Sequence, residues 1–276
     1  MPYITVDEEN SGPVALYYED HGTGTPVVLI HGWPLSGRSW ERQVPALVAA
    51  GYRVITYDRR GFGDSCKPWG GYDYDTFSTD LHKLITHLHL RSAALVGFSM
   101  GGGEVARYVG THGTEHIRKA AFVAAIPPFL LQAPDNPQGV PLNVFDGIRA
   151  GLAKDRPAFL AGFLANFYNA DVLGDRISSD ALRLSWNIAV GASPKATYDA
   201  VAAWGTDFRA DLASFDIPTL VVHGTKDRIV PIEVSGQRTH ELVAGSKFVP
   251  IQDAPHGLNW THAEELNQAL IDFLKS

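Results

Sequence analysis

Gly97-Phe98-Ser99-Met100-Gly101 directly follows the apolar run Ala94-Leu95-Val96 and opens a helical stretch from Met100 to Thr111. A strand, a sharp turn and a helix in that order make a nucleophile elbow, a tight turn that holds a serine in a strained backbone conformation. Gly97 and Gly101 remove side chains where the strand and the helix would otherwise collide. On either side of this turn, short apolar runs ended by turn residues alternate with longer stretches of helical spacing. That alternation is the signature of a mostly parallel sheet flanked by helices, so the fold class is α/β. The buried-strand candidates are Val27 to Ile30, Tyr52 to Tyr57, Ala93 to Val96, Ala120 to Ala124, Thr219 to Val222 and Lys247 to Ile251. Val14 to Glu19 reads as one strand of an antiparallel start. Helices are expected over Ser39 to Ala50, Thr76 to Leu88, Met100 to Thr111, Ile232 to Val243 and Thr261 to Leu274.

Between Pro127 and Pro218 the strand-like runs disappear. Asn143 to Lys154, Pro157 to Tyr168, Asp180 to Val190 and Pro194 to Trp204 all read as helices. Because strands resume at Ile217, this insertion of residues 127–217 is expected to be a lid within a single domain spanning 1–276. Leu131 to Pro141, with Pro134, Pro137 and Pro141, is its expected flexible entry.

At 276 residues, 45% hydrophobic and 19% charged, the chain has the composition of a compact globular protein. A net charge of −7 with no basic run argues against a nucleic-acid partner. The single cysteine, Cys66, excludes an intrachain disulfide and a CxxC redox pair and fits a reducing compartment. Met1 to Asn10 lacks the layout of a signal peptide, and no apolar run reaches the roughly 18 residues of a membrane span. A cytoplasmic location is expected.

A serine hydroxyl is a weak nucleophile until a histidine takes its proton and an acid orients that histidine. Asp227 lies in the loop after the strand candidate Thr219 to Val222, and His256 follows Lys247 to Ile251 in Ala254-Pro255-His256-Gly257. Ser99, Asp227, His256 is the nucleophile, acid, base order of α/β-hydrolases. Asp216 precedes its strand and Asp253 is only three residues from His256, so both fit the acid's role less well. The oxyanion hole needs the backbone N–H of the residue after the nucleophile, Met100, and a second from the loop His31-Gly32-Trp33-Pro34, where Trp33 is the choice. His31 is read as bracing that turn. His112 and His116 have ligand-like spacing, but Gly113 interrupts them and neither they nor His82 are read as metal ligands.

Together with Tyr57-Asp58-Arg59-Arg60-Gly61-Phe62-Gly63-Asp64-Ser65 and His223-Gly224-Thr225-Lys226-Asp227, these motifs resemble the cofactor-free haloperoxidase, or non-haem chloroperoxidase, family of α/β-hydrolases. That family also holds arylesterases, perhydrolases and γ-lactamases. The resemblance covers essentially the whole chain and implies the triad and the oxyanion amides named above. It implies a serine hydrolase acting on small carboxylic esters, with hydrogen peroxide able to replace water and form a peracid that oxidises halide. No cofactor or metal is implied. Expected partners are a small ester, carboxylic acid or lactam, with peroxide and halide; a homo-oligomer is allowed. The alternatives are a γ-lactamase or amidase of the same family, or a hydrolase-fold ligand receptor with slow turnover. Ser99 at the elbow excludes the aspartate-nucleophile branches. Glu104, after the third glycine, departs mildly from the pattern and is expected to face away.

The substrate pocket is expected to be apolar, formed by Phe98, Met100 and Trp33 below and by Phe129, Phe163, Phe167 and Trp204 above. Ile229 and Leu258, flanking the acid and the base, and Pro34 complete it. Members that favour perhydrolysis resemble this chain in having a proline at the place of Pro34, where it constrains the Trp33 carbonyl.

Overall fold

A computed structural model describes residues 2–276. Eight strands form one sheet: β1 (Tyr3–Glu9), β2 (Gly12–His21), β3 (Pro26–Ile30), β4 (Arg53–Tyr57), β5 (Ala93–Phe98), β6 (Ile117–Val123), β7 (Thr219–Gly224) and β8 (Lys247–Ile251). Their spatial order is β1-β2-β4-β3-β5-β6-β7-β8. The β1–β2 and β2–β4 pairs are antiparallel, and every pair from β4 to β8 is parallel, with Val28 opposite Leu95 and Val222 opposite Val249. The central strands β3 to β7 are covered on both faces along most of their length, which is why they read as largely apolar runs.

Ten helices complete the described chain: α1 (Gln43–Ala49), α2 (Tyr74–His87), α3 (Met100–His112), α4 (Leu142–Phe167), α5 (Ser179–Gly191), α6 (Pro194–Ala203), α7 (Arg209–Leu212), α8 (Gly236–Leu242), α9 (Leu258–Thr261) and α10 (Ala263–Lys275). Their starts have local causes. Asp73 accepts from the Thr76 amide at 2.9 Å ahead of α2, and Ser193 caps α6 with Pro194 in its first turn. Helix α10 buries Leu266, Leu270, Phe273 and Leu274, a one-faced apolar stripe.

Several boundaries differ from those read in the sequence. Strand β1 was not anticipated: it buries Ile4 and Val6 while Tyr3 and Thr5 face out, and its acidic end hid that alternation. Strand β6 begins at Ile117, ahead of the expected Ala120, because Ile117 and Lys119 already pair with Ala93 and Ala94 of β5; the charge that hid this start is satisfied where the Lys119 ammonium donates to the carbonyls of Phe273 at 2.6 Å and Leu274 at 3.2 Å. The stretch expected as one helix from Ser39 to Ala50 is a 3₁₀ turn over Gly37–Trp40 followed by α1.

Between β6 and β7 the chain forms α4 to α7, with only isolated β-bridges. Helix α4 is broken at Asp155 (φ −157°, ψ 87°), two residues before Pro157, and the Asp155 carboxylate accepts from the Ala158 amide at 3.1 Å. It therefore behaves as the two helices expected on either side of that break. The proline-rich 131–141 entry is held by Asn136, whose buried amide donates to the carbonyls of Phe129 at 2.8 Å and Leu131 at 2.7 Å. Among the described residues no helix is long and apolar enough to cross a membrane.

Candidate active site

Each residue singled out for chemistry follows the C-terminal end of a parallel strand: Trp33 after β3, Ser99 after β5, Asp227 after β7 and His256 after β8. This is the edge where open α/β sheets gather their ligands. Ser99 has φ 55° and ψ −120°, a left-handed conformation unusual for a residue with a Cβ. Its amide donates to the Val123 carbonyl at 2.9 Å, which ties the turn to β6. A Cβ on Gly97 would run into the carbonyl of Gly101, so this crossing of strand and helix requires glycine.

His256 Nε2 lies 2.8 Å from Ser99 Oγ, and His256 Nδ1 lies 2.7 Å from Asp227 Oδ2. The Asp227 side chain is fully buried, and its other oxygen accepts from the amides of Ile229 at 2.9 Å and Val230 at 2.8 Å. Burial alone would push this carboxyl up. The charge of His256 and hydrogen bonds from His223 and His256 outweigh it and hold Asp227 well below the usual carboxylate range. Asp227 is thus an ionised acceptor throughout the neutral range, which suits it to orient an imidazole and stabilise its charged form.

His223, at the end of β7, was not picked out in the sequence. Its Nε2 is 2.9 Å from the Val230 carbonyl and 3.2 Å from Asp227 Oδ2, so one carboxylate oxygen faces two histidines. Both neighbours are acceptors, so Nε2 carries the hydrogen. The only sequence signal was its place four residues before the acid, at a strand end.

The loop 31–35 packs directly on the elbow, and a Cβ on Gly32 would come within 2.9 Å of Ser99 Cβ. Among the described residues the amides of Trp33 and Met100 donate no hydrogen bond, and Met100 opens α3, where helix geometry leaves N–H groups free. His31 is fully buried. Its Nδ1 donates to the Gly32 carbonyl at 2.9 Å and its Nε2 accepts from the Arg59 amide at 3.0 Å. Burial holds its pKa well below the ordinary histidine value, in keeping with a brace rather than a base.

Glu104 does not face away. It is fully buried on α3, where Oε2 accepts from Arg59 Nε at 2.8 Å and Oε1 accepts from the Tyr57 hydroxyl. Arg59 also donates through Nη2 to the His31 carbonyl at 3.0 Å. One buried ion pair therefore links the elbow helix to the loop carrying Trp33.

The cavity above Ser99 and His256 has a volume of about 220 Å³, below the roughly 300–1,000 Å³ of drug-sized sites. Trp33, Phe163, Trp204 and Ile229 line it as expected, with Phe163 and Trp204 edge-on to the Trp33 ring at 4.9 and 5.0 Å. Ile126, Leu130, Val140, Val144, Phe145 and Ile148 line it as well, and none of these was anticipated. The other expected residues are not on its wall. Phe98 and Phe167 pack against the His256 ring, at 5.2 and 4.8 Å, and support the imidazole instead. Phe129 lies under the Arg209 guanidinium at 5.1 Å, bridged to Asp207. Leu258 is fully buried at the start of α9, Pro34 is buried in its loop, and the Met100 side chain is buried in the elbow. Helix α4 is stitched to the site by the Gly257 amide, which donates to the Phe167 carbonyl at 2.9 Å. The His82 and His112 rings stack at 4.4 Å, and among the described residues no group of three or more His, Cys, Asp or Glu could hold a metal.

The model of the alpha/beta hydrolase fold family matches residues 25–263. The crystal structure of a bromoperoxidase from Bacillus anthracis superposes with a TM-score of 0.97 at 54% identity, covering 100% of this chain and 99% of that one. The non-heme chloroperoxidase CPO-A1 of Kitasatospora aureofaciens is 42% identical over 95% of this chain and 96% of its own length. The bifunctional esterase/perhydrolase DCH of Acinetobacter calcoaceticus is 35% identical over the full length of both chains. With strand order, elbow and sequence all in agreement, the chain belongs to the α/β-hydrolase fold family, among its non-haem haloperoxidase and esterase/perhydrolase members.

Proposed function

We propose that this chain is a serine hydrolase of small carboxylic esters and that hydrogen peroxide replaces water in its second half-reaction. The observation that carries the reading is the line of hydrogen bonds from Ser99 Oγ to His256 at 2.8 Å and from His256 to Asp227 at 2.7 Å. Ser99 Oγ adds to the ester carbonyl as His256 Nε2 takes its proton, and Asp227 stabilises the imidazolium. The amides of Trp33 and Met100 receive the oxyanion. His256 then gives its proton to the departing alkoxide, leaving an alcohol and an acyl-Ser99. Water, deprotonated by His256, releases the acid; hydrogen peroxide in its place releases a peracid. A carboxylic acid enters by the reverse of the first route, losing water. The peracid's terminal oxygen oxidises bromide or chloride to hypohalous acid and regenerates the carboxylic acid, so peroxide supplies both oxidising equivalents. The names of the chloroperoxidase and esterase/perhydrolase relatives support this pairing of activities.

Ser99→Ala tests it. Ester hydrolysis and carboxylate-dependent bromination are expected to fall together by several orders of magnitude, because both pass through the same acyl-serine. Bromination retained by folded Ser99→Ala protein refutes the shared route.

A further inference from the structure

The cavity wall is apolar except at one rim. Besides Ser99 and His256, its polar lining residues among those described are Asn166, at the C-terminal end of α4, and Arg228, next to Asp227. Both are exposed. The Arg228 guanidinium has one ionic partner, Asp171, at 2.8 Å, with the two side chains 41% and 62% exposed. Exposed pairs of this kind hold weakly and yield to a competing anion. The Asn166 side chain makes no hydrogen bond among the described residues, so its amide N–H groups are available at the same rim. Lys226 and Arg228 both line a neighbouring groove, with Asp227 and Asp253 as the opposing charges there. On a chain of net charge −7, a permanent cation on the wall of a pocket otherwise free of one marks a place for a negative group.

Resting on the esterase reading above, we infer that Arg228 and Asn166 form a carboxylate-recognition rim, which directs the enzyme toward esters whose acyl chain ends in a second carboxylate. The substrate class is the half-ester of a short dicarboxylic acid. Its ester carbonyl meets Ser99, its methylenes lie along the apolar wall, and its free carboxylate takes the planar, two-pronged hydrogen bonds that a guanidinium offers. Binding displaces Asp171 from Arg228. Hydrolysis consumes one water and releases the alcohol and the dicarboxylic acid.

The test compares monomethyl succinate, glutarate and adipate with methyl butanoate, pentanoate and hexanoate, in which a terminal methyl replaces the carboxylate. The readout is the ratio of kcat/KM for the charged ester to that for its neutral partner, which a merely structural role for Arg228 would not move. Arg228→Gln is expected to lower this ratio about tenfold at the best chain length, as for loss of one charged contact. Arg228→Glu is expected to lower it further, and Asp171→Asn, which frees the guanidinium, to raise it about threefold. Raised salt should shrink the wild-type ratio. A ratio unchanged within twofold in Arg228→Gln at all three chain lengths, with the neutral esters hydrolysed, overturns this inference alone. Failure of the wild type to hydrolyse either series overturns the esterase reading and this inference with it.

Discussion

Replacing Glu104 by Gln keeps the shape of the side chain and removes its charge, and the structure sets the size of the effect. Glu104 Oε2 accepts from Arg59 Nε at 2.8 Å, the Tyr57 hydroxyl donates to Oε1, and the Arg59 and Glu104 side chains are 1% and 0% exposed. Glutamine offers one oxygen where the carboxylate offered two, so its amide nitrogen must turn a donor toward either Tyr57 or Arg59. The guanidinium then stays buried with its charge uncompensated, and its Nη1 already lacks a partner. Breaking one side of such a pair costs about 3–5 kcal/mol. For a chain of this size that is a fall in Tm of roughly 10 °C. Urea unfolding followed by tryptophan fluorescence measures it. Arg59→Met should cost a similar amount, and Arg59→Met with Glu104→Leu much less than the sum of the two single changes. Because Arg59 also holds the His31 carbonyl at 3.0 Å, Glu104→Gln should lower kcat and leave KM nearly unchanged. A loss of stability below about 1 kcal/mol would refute the reasoning, since the pair would then carry no buried charge.

Asp227→Asn is expected to leave the fold intact and lower ester turnover by about four orders of magnitude through loss of tautomer control, measured as kcat on a chromogenic acetate ester. His223→Leu, which removes one of the two histidines on Asp227, should cost about ten- to a hundredfold in kcat, and near-wild-type turnover would reduce His223 to packing. Burial raises the Asp58 carboxyl to about 6, against the amides of Gly37 and Asp64 that hydrogen-bond its charged form. A carboxyl raised on folding gives stability that is complete below its unfolded pKa near 3.8 and lost as pH rises through about 6. Stability measured relative to Asp58→Asn should therefore fall by about 2 kcal/mol from pH 4 to pH 7, and a flat difference would remove Asp58 as the cause.

The proposed triad was legible because its three members each follow a buried apolar run, and strand ends on one edge of a parallel sheet converge whatever the loops do. His223 was not, because its approach to Asp227 depends on how the loop 224–230 doubles back, which no periodicity records. A charged residue on a helix normally faces away, so the sequence conceals the inward turn of Glu104. Its partners Arg59 and Tyr57 lie more than forty residues upstream, and only tertiary packing brings them together. The pocket was the least legible part. Aromatic residues drew attention, yet Phe163 lines the cavity while Phe167, one turn later, supports His256. Aliphatic residues of the first half of α4, Val144 and Ile148, line the cavity, and Phe129 and Leu258 do not. Apolar spacing marks a helix face for burial but does not distinguish burial in the core from burial around a ligand.

The strand ends that deliver Trp33, Ser99, Asp227 and His256 also govern when the protein becomes active. Ser99 and His256 are 157 residues apart in the chain, and the ends of β3, β5, β7 and β8 come into register only when the intervening crossovers have closed. Contacts so distant in sequence form late, after the loop-closure entropy between them has been overcome. Turnover should therefore report the completed tertiary structure: recovery of activity during refolding is expected to trail recovery of helix signal, and no contiguous half of the chain contains Trp33, Ser99, Asp227 and His256 together.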